Sequence, residues 1–152
     1  MTQDIKIKIS NLTKIFGPKA ESVIKHVDNG MGKDDLLKEH QHVLGLSNIN
    51  LDLKNKNIEV IMGLSGSGKS TLIRHINRLI EPTAGSIMIG GEDVIQMPME
   101  KLRKFRQQKT AMVFQSFALL PHKTIMDNVC LGVHLQGVKG CLLYTSPSPR
   151  DP

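Results

Sequence analysis

A glycine-rich octapeptide at residues 63–70, GLSGSGKS, is the feature that most constrains the fold of this chain. It matches the pattern GxxxxGK followed by Ser or Thr, in which glycines let the backbone curl until successive N–H groups point into one concavity. A helix that starts at the end of such a loop adds the positive end of its dipole to that concavity. The pattern therefore predicts a phosphate-binding loop between a buried strand, expected at residues 58–62, and a helix expected at about residues 69–79.

The polar groups of the octapeptide have expected tasks on a nucleotide. Lys69 can reach the β- and γ-phosphates, and the Ser70 hydroxyl can ligate the Mg²⁺ that bridges them. Thr71 is expected to contact the α-phosphate. The octapeptide therefore predicts a nucleoside triphosphate and Mg²⁺ as cofactors, with Lys69 also a catalytic residue, but by itself it does not choose among kinases, GTPases, motors and transporter ATPases. The alternative is a glycine-rich turn that binds nothing. The predicted nucleotide-binding residues of this segment are Gly63, Ser65, Gly66, Ser67, Gly68, Lys69, Ser70 and Thr71.

Strand-like and helix-like segments alternate around the octapeptide, which predicts an α/β domain of the P-loop NTPase class. Thr124 followed by Asp127 has the spacing of a capping box, so a last helix is expected to open there and to run to about Val138. Strands are predicted at residues 5–9, 49–53, 58–62, 86–89 and 110–114, and a charged helix at 99–108.

The segment between the first two strands, residues 19–42, predicts a helical hairpin. Its first helix has apolar residues at positions i, i+3, i+4 and i+7, and Gly30 stands where a helix-terminating glycine is expected. We expect this apolar stripe to pack against Leu36 and Leu37 of the second helix. The stripe consists of Ala20, Val23, Ile24 and Val27.

Composition argues against several other functions. The sequence has no run of eighteen apolar residues, and its first thirty residues lack the apolar stretch of a signal peptide. The net charge of +6 comes from basic residues scattered over all segments, and four Phe, one Tyr and no Trp leave little surface on which bases can stack. We therefore expect a solvated basic surface and no nucleic-acid partner.

Residues 141–151, CLLYTSPSPRD, have no hydrophobic period. The string resembles the in-frame translation of a transposase adapter used for sequencing libraries, and we expect residues 141–152 to be a non-native tail. The alternative is a disordered C-terminal tail. Without this segment Cys130 is the one remaining cysteine, which suits a reducing cytosol. Residues 1–140 are then expected to be a partial domain whose natural chain continues.

Four stretches of the sequence carry a resemblance to a known family. They are NLTKIFG at 11–17, VIMGLSGSGKST at 60–71, INRLIEPTAGSI at 76–87 and AMVFQSFALLPHKTIMDNV at 111–129. The sequence resembles the ATP-binding subunits of ABC transporters and, within them, the branch that imports glycine betaine and proline. The resemblance covers about residues 5–139, and it implies an ABC-type nucleotide-binding domain that is truncated within its helical subdomain.

The resemblance implies two further site residues. Phe16 falls where the family places an aromatic residue that stacks on adenine; the alternative is that it only plugs the sheet edge. Gln115 falls on the glutamine of the family's Q-loop, which contacts Mg²⁺ and the attacking water, so it is expected both as a catalytic residue and as a metal ligand. The alternative for Gln115 is an ordinary exposed glutamine. His122 lies in the loop that faces the permease, and we expect it to make a surface contact rather than to act as a catalytic base.

The resemblance also implies an assembly. The subunit is expected to form a head-to-tail homodimer, with ATP between the P-loop of one subunit and the signature motif of the other. It is expected to power a membrane permease that imports a compatible solute such as glycine betaine or proline, with a solute-binding protein as an indirect partner. Its expected location is peripheral, at the cytoplasmic face of the cell membrane. The alternatives are an importer branch for amino acids or methionine, a non-ABC P-loop kinase, and a nucleotide-binding fragment without enzymatic activity.

The insert at 19–42 is typical of the betaine/proline branch, but some features depart from the family pattern. Gln41 and His42 stand near the end of the second helix, where the family tends to have glycine. Asn55-Lys56-Asn57 replaces a turn that usually contains glycine, and because Asn tolerates positive φ we expect the turn to survive.

Three features of the family are missing from the 152 residues, and one of them is its switch histidine. The sequence contains no LSGGQ signature and no apolar strand that ends in Asp-Glu. ATP hydrolysis is therefore expected of a full-length family member and not of these residues by themselves. The Asp-Glu strand normally covers one side of the strand before the P-loop, so we expect Ile58, Val60 and Ile61 to be partly exposed.

Overall fold

The computed structural model describes residues 5–115, 119–135 and 137. The chain divides into two compact units, Met1–Met97 and Pro98–Pro152. Among the described residues, no helix is both long and apolar enough to cross a membrane. The adapter-like segment predicted at 141–152 lies outside the described residues, and so does Val138, the expected end of the last helix.

The first unit is built on a four-stranded sheet in which the strand order is β2-β1-β3-β4 and every pair is antiparallel. β1 pairs with β2 along its whole length, from Ile5 opposite Lys54 to Phe16 opposite Val43. Both strands extend well beyond the alternating segments at 5–9 and 49–53, because backbone hydrogen bonds continue through polar positions as readily as through apolar ones. The strands are β1 (Ile5–Phe16), β2 (Val43–Lys54), β3 (Ala84–Ile89) and β4 (Glu92–Asp93).

Bulges keep one face of β1 apolar. Ile9, Leu12 and Ile15 are all buried although they are three residues apart, a spacing that in a regular strand alternates between the two faces. The register of β1 against β2 shifts on both sides of Leu12, and Asn11 takes a left-handed conformation with φ 51°. Each bulge inserts one residue and returns the next apolar side chain to the core.

Helices occupy the segment between β1 and β2. A 3₁₀ turn at Ala20–Val23 leads into α1 (Ile24–Asp28), and α2 (Lys33–His40) follows. Gly30, two residues after the end of α1, has a φ of 92°, so that Gly30 N donates to Val27 O and Met31 N donates to His26 O, both at 2.9 Å. This paired arrangement is a Schellman motif, so Gly30 ends the helix as the sequence predicts.

The insert packs onto β1 through a small apolar cluster. Val23 of the 3₁₀ turn, Val27 of α1 and Leu36 of α2 are buried together with Ile15 of β1. Leu37 is 50% exposed, so the prediction that it packs against the apolar stripe is wrong. Successive helix positions are about 100° apart, and with Leu36 turned into the cluster its neighbour faces solvent.

The segment that precedes the octapeptide is not a strand. Residues 58–62 have no regular structure, and Ile58 is 93% exposed. A strand needs a neighbour for its N–H and C=O groups, and no strand within the described ranges pairs with this segment. The predicted buried strand is therefore wrong, whereas the expected partial exposure of Ile58, Val60 and Ile61 is confirmed. Residues 110–114, predicted as a further apolar strand, are irregular and largely exposed for the same reason.

The turn between β2 and this segment differs in detail from its prediction. Lys56, and neither of the flanking asparagines, takes the left-handed conformation, with φ 59°. The turn forms as expected, but the tolerance of Asn for positive φ does not explain it, because the side chain at the strained position is a lysine.

The helix after the octapeptide, α3, spans Lys69–Ile76 and ends three residues earlier than predicted. In the second unit, α4 (Met99–Lys109) matches the charged helix expected at 99–108, and α5 (Ile125–Leu135) is the last described helix. The capping box at the start of α5 is confirmed: Asp127 N donates to Thr124 Oγ1 at 3.1 Å, and Thr124 N donates to the Asp127 carboxylate at 3.4 Å.

Candidate nucleotide-binding site

The octapeptide forms a tight loop that leads directly into α3. Gly66 and Gly68 have φ values of 77° and 90°, which side chains with a Cβ rarely adopt. Ser67 N donates to Leu64 O at 3.2 Å and closes a turn inside the loop. The backbone thus curls as the sequence pattern predicts, and most of the loop residues are exposed.

Gly68 is also required for the way the loop rests on the sheet. A Cβ added there would lie 2.6 Å from Gly45 O and 2.9 Å from Leu46 Cδ2, both in β2. Only a glycine allows this approach, so Gly68 brings the start of α3 against β2. The first turn of any helix leaves N–H groups without an intrahelical partner, and here those groups belong to Lys69, Ser70 and Thr71. The positive end of the α3 dipole therefore lies directly at the end of the loop.

The Lys69 ammonium is folded over the loop. Its Nζ donates to Gly63 O at 2.8 Å and to Leu64 O at 2.7 Å, and it lies 3.3 Å from Ser67 Oγ. An ammonium has three donors, and these three acceptors hold the charge at the loop rather than out in solvent. A phosphate chain offers stronger, charged acceptors to the same group. The residues present thus fit a phosphate ligand.

The remaining predicted residues lie in the same loop and in the first turn of α3. Ser65 and Ser70 are exposed, and Thr71 is half-buried in the first turn of α3. Gly63 lies against Ser67, since a Cβ added at Gly63 would be 2.8 Å from the Ser67 hydroxyl oxygen. The eight residues predicted from the sequence are therefore together in one loop and helix start.

Phe16, the last residue of β1, is 39% exposed, so its ring is not a fully buried plug of the sheet edge. The ring lies against Gly45 in β2, where an added Cβ would be 2.7 Å from Phe16 Cε2. The Lys14 ammonium lies 5.1 Å from the centre of the same ring, a distance typical of a cation–π contact.

Gly45 connects the aromatic residue to the phosphate loop and was missed by the sequence reasoning. The Phe16 ring covers its Cα, while its carbonyl oxygen touches Gly68. The two parts of the candidate site thus converge on one residue of β2. A glycine inside a strand often marks a close approach, and that signal was present in the sequence.

Gln115 and His122 belong to the second unit. Both are exposed, and residues 116–118, which follow Gln115, lie outside the described residues. The roles assigned to the two side chains by resemblance stay predictions.

The sequence model of the ABC transporter family matches residues 46–148, which include the phosphate loop and all of the second unit up to that point. The chain belongs to the ABC transporter family. A non-ABC P-loop kinase, one of the alternatives weighed from the sequence, is thereby excluded.

Curated relatives and a solved structure agree with the family. The chain is 46% identical over 134 residues to the glycine betaine/proline betaine transport system ATP-binding protein ProV of Escherichia coli, covering 88% of this chain and 34% of that protein. It is 47% identical over 134 residues to the glycine betaine transport ATP-binding protein OpuAA of Bacillus subtilis, covering 88% of this chain and 32% of that protein. The chain thus spans about a third of the length of these relatives.

The fold is similar to that of the ATP-binding cassette MJ0796, solved as a dimer in a post-hydrolysis state bound to ADP and Pi. The TM-score is 0.68 at 31% sequence identity, over 89% of this chain and 49% of that one. The ABC-type nucleotide-binding fold expected from the sequence is therefore confirmed.

Proposed function

We propose that this chain binds ATP through residues 63–71 and Phe16, as part of the ATP-hydrolysing subunit of an ABC importer. The observation that carries the proposal is the Lys69 ammonium, held by Gly63 O, Leu64 O and Ser67 Oγ over a loop that ends at the start of a helix. The phosphate chain of a nucleoside triphosphate is bound by a positive charge, a curled backbone and a helix N-terminus that lie in one place.

Each residue has a distinct role in this proposal. Lys69 contacts the terminal phosphates, the backbone N–H groups of Gly66 and Gly68 line the concavity, and Phe16 stacks on the adenine. Because Phe16 and Gly68 both touch Gly45, one residue sets the spacing between the base contact and the phosphate contact.

Mg²⁺ is proposed as the second cofactor, held by Ser70 and Gln115 together with the phosphates, and it would neutralise charge on the γ-phosphate. The described residues contain no cluster of three or more His, Cys, Asp or Glu side chains able to hold a metal ion. A hydroxyl and an amide are hard oxygen ligands of the kind Mg²⁺ accepts when phosphates supply the rest. Gln115 is further proposed to orient the attacking water.

The transported solute is proposed to be a compatible solute such as glycine betaine or proline. Two relatives whose names specify glycine betaine transport support this, as does the helical insert between β1 and β2. The alternative is an importer branch for amino acids or methionine. Uptake of labelled glycine betaine, proline and methionine by cells with and without the gene decides between them, and uptake of methionine alone would contradict the betaine assignment.

The proposed partners are a second copy of the subunit and an integral-membrane permease, with a solute-binding protein as an indirect partner; the subunit itself is proposed to lie at the cytoplasmic face of the membrane. A cleft of about 270 Å³ beside α5 supports the permease contact. Its wall is apolar, and Ile125 and Val129 are highly exposed at its rim. We expect Val129→Asp to prevent co-purification with the permease, whereas Lys109→Asp on α4 should not.

The nucleotide test compares Lys69→Ala with Lys38→Ala, a change of the same kind at an exposed position of α2. Loss of a charge-assisted phosphate contact should weaken ATP binding by about 1.5–3 kcal/mol, roughly a factor of 10 to 100 in Kd. A fluorescent ATP analogue titrated in the presence of Mg²⁺ measures this. Equal affinity of wild type and Lys69→Ala would remove the basis of the proposal.

We also propose that residues 141–152 derive from a sequencing adapter. The family match extends to residue 148 and so overlaps this segment, which makes an independent test necessary. Sequencing the gene from a library prepared without transposase adapters is that test. Recovery of CLLYTSPSPRD at the same place would show that the segment is native.

A further inference from the structure

His42 is a buried polar side chain that the proposed nucleotide site does not use. It lies between α2 and β2 and is only 7% exposed. Its two ring nitrogens both face carbonyl oxygens: Nε2 is 2.8 Å from Pro18 O and Nδ1 is 2.5 Å from His40 O. A neutral imidazole donates one of these hydrogen bonds and an imidazolium donates both. When Nε2 carries the proton, as the neutral Nε2–H tautomer or as the imidazolium, it donates to Pro18 O and ties the end of the insert to the turn that follows β1.

The turn after β1 is shaped around this ring. A Cβ added at Gly17 would fall 2.3 Å from His42 Cδ2 and 2.8 Å from Cγ, so the imidazole rests directly on the Gly17 Cα. Gly17 has φ 150°, a conformation that residues with a Cβ rarely adopt. A glycine at position 17 and a flat ring at position 42 are therefore complementary.

This contact lies next to Phe16. On one side of Phe16, Ile15 is buried in the cluster that the insert forms with β1. On the other side, Gly17 and Pro18 are held by His42. Both neighbours of the aromatic residue are thus fixed by the insert, while the Phe16 ring rests on Gly45 and stays partly exposed.

We propose that His42 is a positioning residue for the nucleotide base: it orders the Gly17–Pro18 turn and thereby holds the Phe16 ring ready to stack. The proposal rests on the assignment of Phe16 as the base contact. It gives the helical insert a task in nucleotide binding, carried out through a side chain that touches no nucleotide. If the Phe16 ring is already ordered before binding, the binding of a base does not carry the entropic cost of ordering a mobile ring.

A comparison of ATP with tripolyphosphate separates this role from a general loss of structure. Tripolyphosphate engages the phosphate loop but lacks both the base and the ribose, so the ratio of the two affinities reports the contacts to adenosine, and Phe16→Ala identifies the part of that ratio that comes from the base contact. The full 152-residue chain and four variants are titrated with a fluorescent ATP analogue in the presence of Mg²⁺, and each ligand is used as a competitor. The variants are His42→Leu, His42→Gln, Phe16→Ala and His26→Ala.

We expect His42→Leu to lower the preference for ATP over tripolyphosphate by about fivefold, the size of one aromatic stacking contact, with tripolyphosphate affinity unchanged. Phe16→Ala should do the same. His26→Ala is the matched control, because His26 lies in the same insert, is exposed, and contacts the ring of His40 rather than the turn. His42→Gln, which can still donate to Pro18 O, should restore part of the preference.

The outcomes distinguish a failure of the base contact assigned to Phe16 from a failure of the positioning role assigned to His42. Equal weakening of ATP and tripolyphosphate by His42→Leu would show a merely structural residue and overturn the positioning role. An unchanged affinity ratio in Phe16→Ala would show that Phe16 does not contact the base. The positioning role proposed for His42 would then be excluded as well. Amide hydrogen exchange of residues 16–19 without nucleotide gives a second measurement: His42→Leu should raise it at least tenfold relative to His26→Ala, and no change would overturn the ordering of the turn.

Discussion

Gln41 ends α2 in the left-handed backbone region, with φ 57° and ψ 32°. Its N–H donates to Leu37 O at 3.1 Å, which closes the helix in the way a terminal glycine usually does. A side chain with a Cβ is strained in this conformation by about 1 kcal/mol. Lys56, at the turn after β2, is strained in the same way. These are the two places where the sequence departs from the glycines of the family pattern, and at both the backbone keeps the conformation that suits glycine.

We predict that Gln41→Gly stabilises the protein by about 0.5–1 kcal/mol, since it relieves the left-handed strain and removes no other contact of the helix end. Urea denaturation followed by circular dichroism measures the change. Lys38→Gly is the control, because a glycine inside α2 should destabilise by about 1 kcal/mol. Destabilisation of similar size by both variants would show that Gln41 is not strained.

His75 is fully buried on the inner side of α3, where its Nδ1 lies 2.7 Å from Thr71 O and its Nε2 makes no hydrogen bond. Burial, with a smaller contribution from the charge of Lys14, lowers its pKa below the ordinary 6.5 and outweighs the backbone groups of Thr71 and Glu81, which act in the other direction. The folded state therefore favours the neutral ring, while the unfolded chain takes up a proton near pH 6.5.

We predict from this that the free energy of unfolding is highest above pH 6.5 and falls as the pH drops below that value towards the lowered pKa. Urea midpoints between pH 7.5 and 5.5 measure it. His75→Leu should remove most of this slope, and His26→Leu, at an exposed position of α1, should leave it in place. A slope unaffected by His75→Leu would contradict the prediction.

At the scale of elements, α5 begins with a capping box, and Ile125, Met126 and Val129 in its first half are exposed. Hydrogen bonds from the Thr124 side chain and then from its backbone lower the pKa of Asp127. The charged carboxylate therefore stabilises the start of the helix above the unfolded pKa of about 3.8, and that stabilisation is lost as the pH falls through the folded value.

We expect Thr124→Ala to raise the pKa of Asp127 towards its ordinary value and to reduce the helicity of α5 at neutral pH, because the larger of the two hydrogen-bond contributions is removed. A carbon-detected NMR titration of the Asp127 carboxyl measures the first effect, and secondary chemical shifts of residues 125–135 measure the second. An Asp127 titration that is the same in both proteins would show that the box does not form in solution.

At the scale of the whole chain, we predict that the 152 residues bind nucleotide but do not turn over ATP. Hydrolysis needs fixed charge around the γ-phosphate and a group that activates water. Lys69, Ser70 and Gln115 are proposed to supply part of this, but the printed sequence contains neither an LSGGQ signature nor an apolar stretch that ends in Asp-Glu. A phosphate-release assay on the folded chain should stay at background. Turnover on the order of 1 s⁻¹, a rate typical of active enzymes, that disappears in Lys69→Ala would prove this prediction wrong.

What the sequence determined by itself are the features that depend on a few neighbouring residues. The curl of the phosphate loop follows from Gly66 and Gly68, the end of α1 from Gly30, and the start of α5 from Thr124 and Asp127, because each rests on backbone freedom or a hydrogen bond within about five residues. The family was also predictable from the sequence, because long stretches of the chain resemble the sequences of family members. The ABC-type fold follows from the family.

Only the tertiary structure decided which side chains meet across long distances in the sequence. Residues 58–62 are apolar enough for a strand, yet a strand forms only where another strand supplies hydrogen-bond partners. Gly45 beneath Phe16, and His42 against Gly17 and Pro18, join residues 24 to 29 positions apart, and no local pattern reports such a contact. Pairing and burial depend on where the rest of the chain passes, and that is a property of the folded molecule.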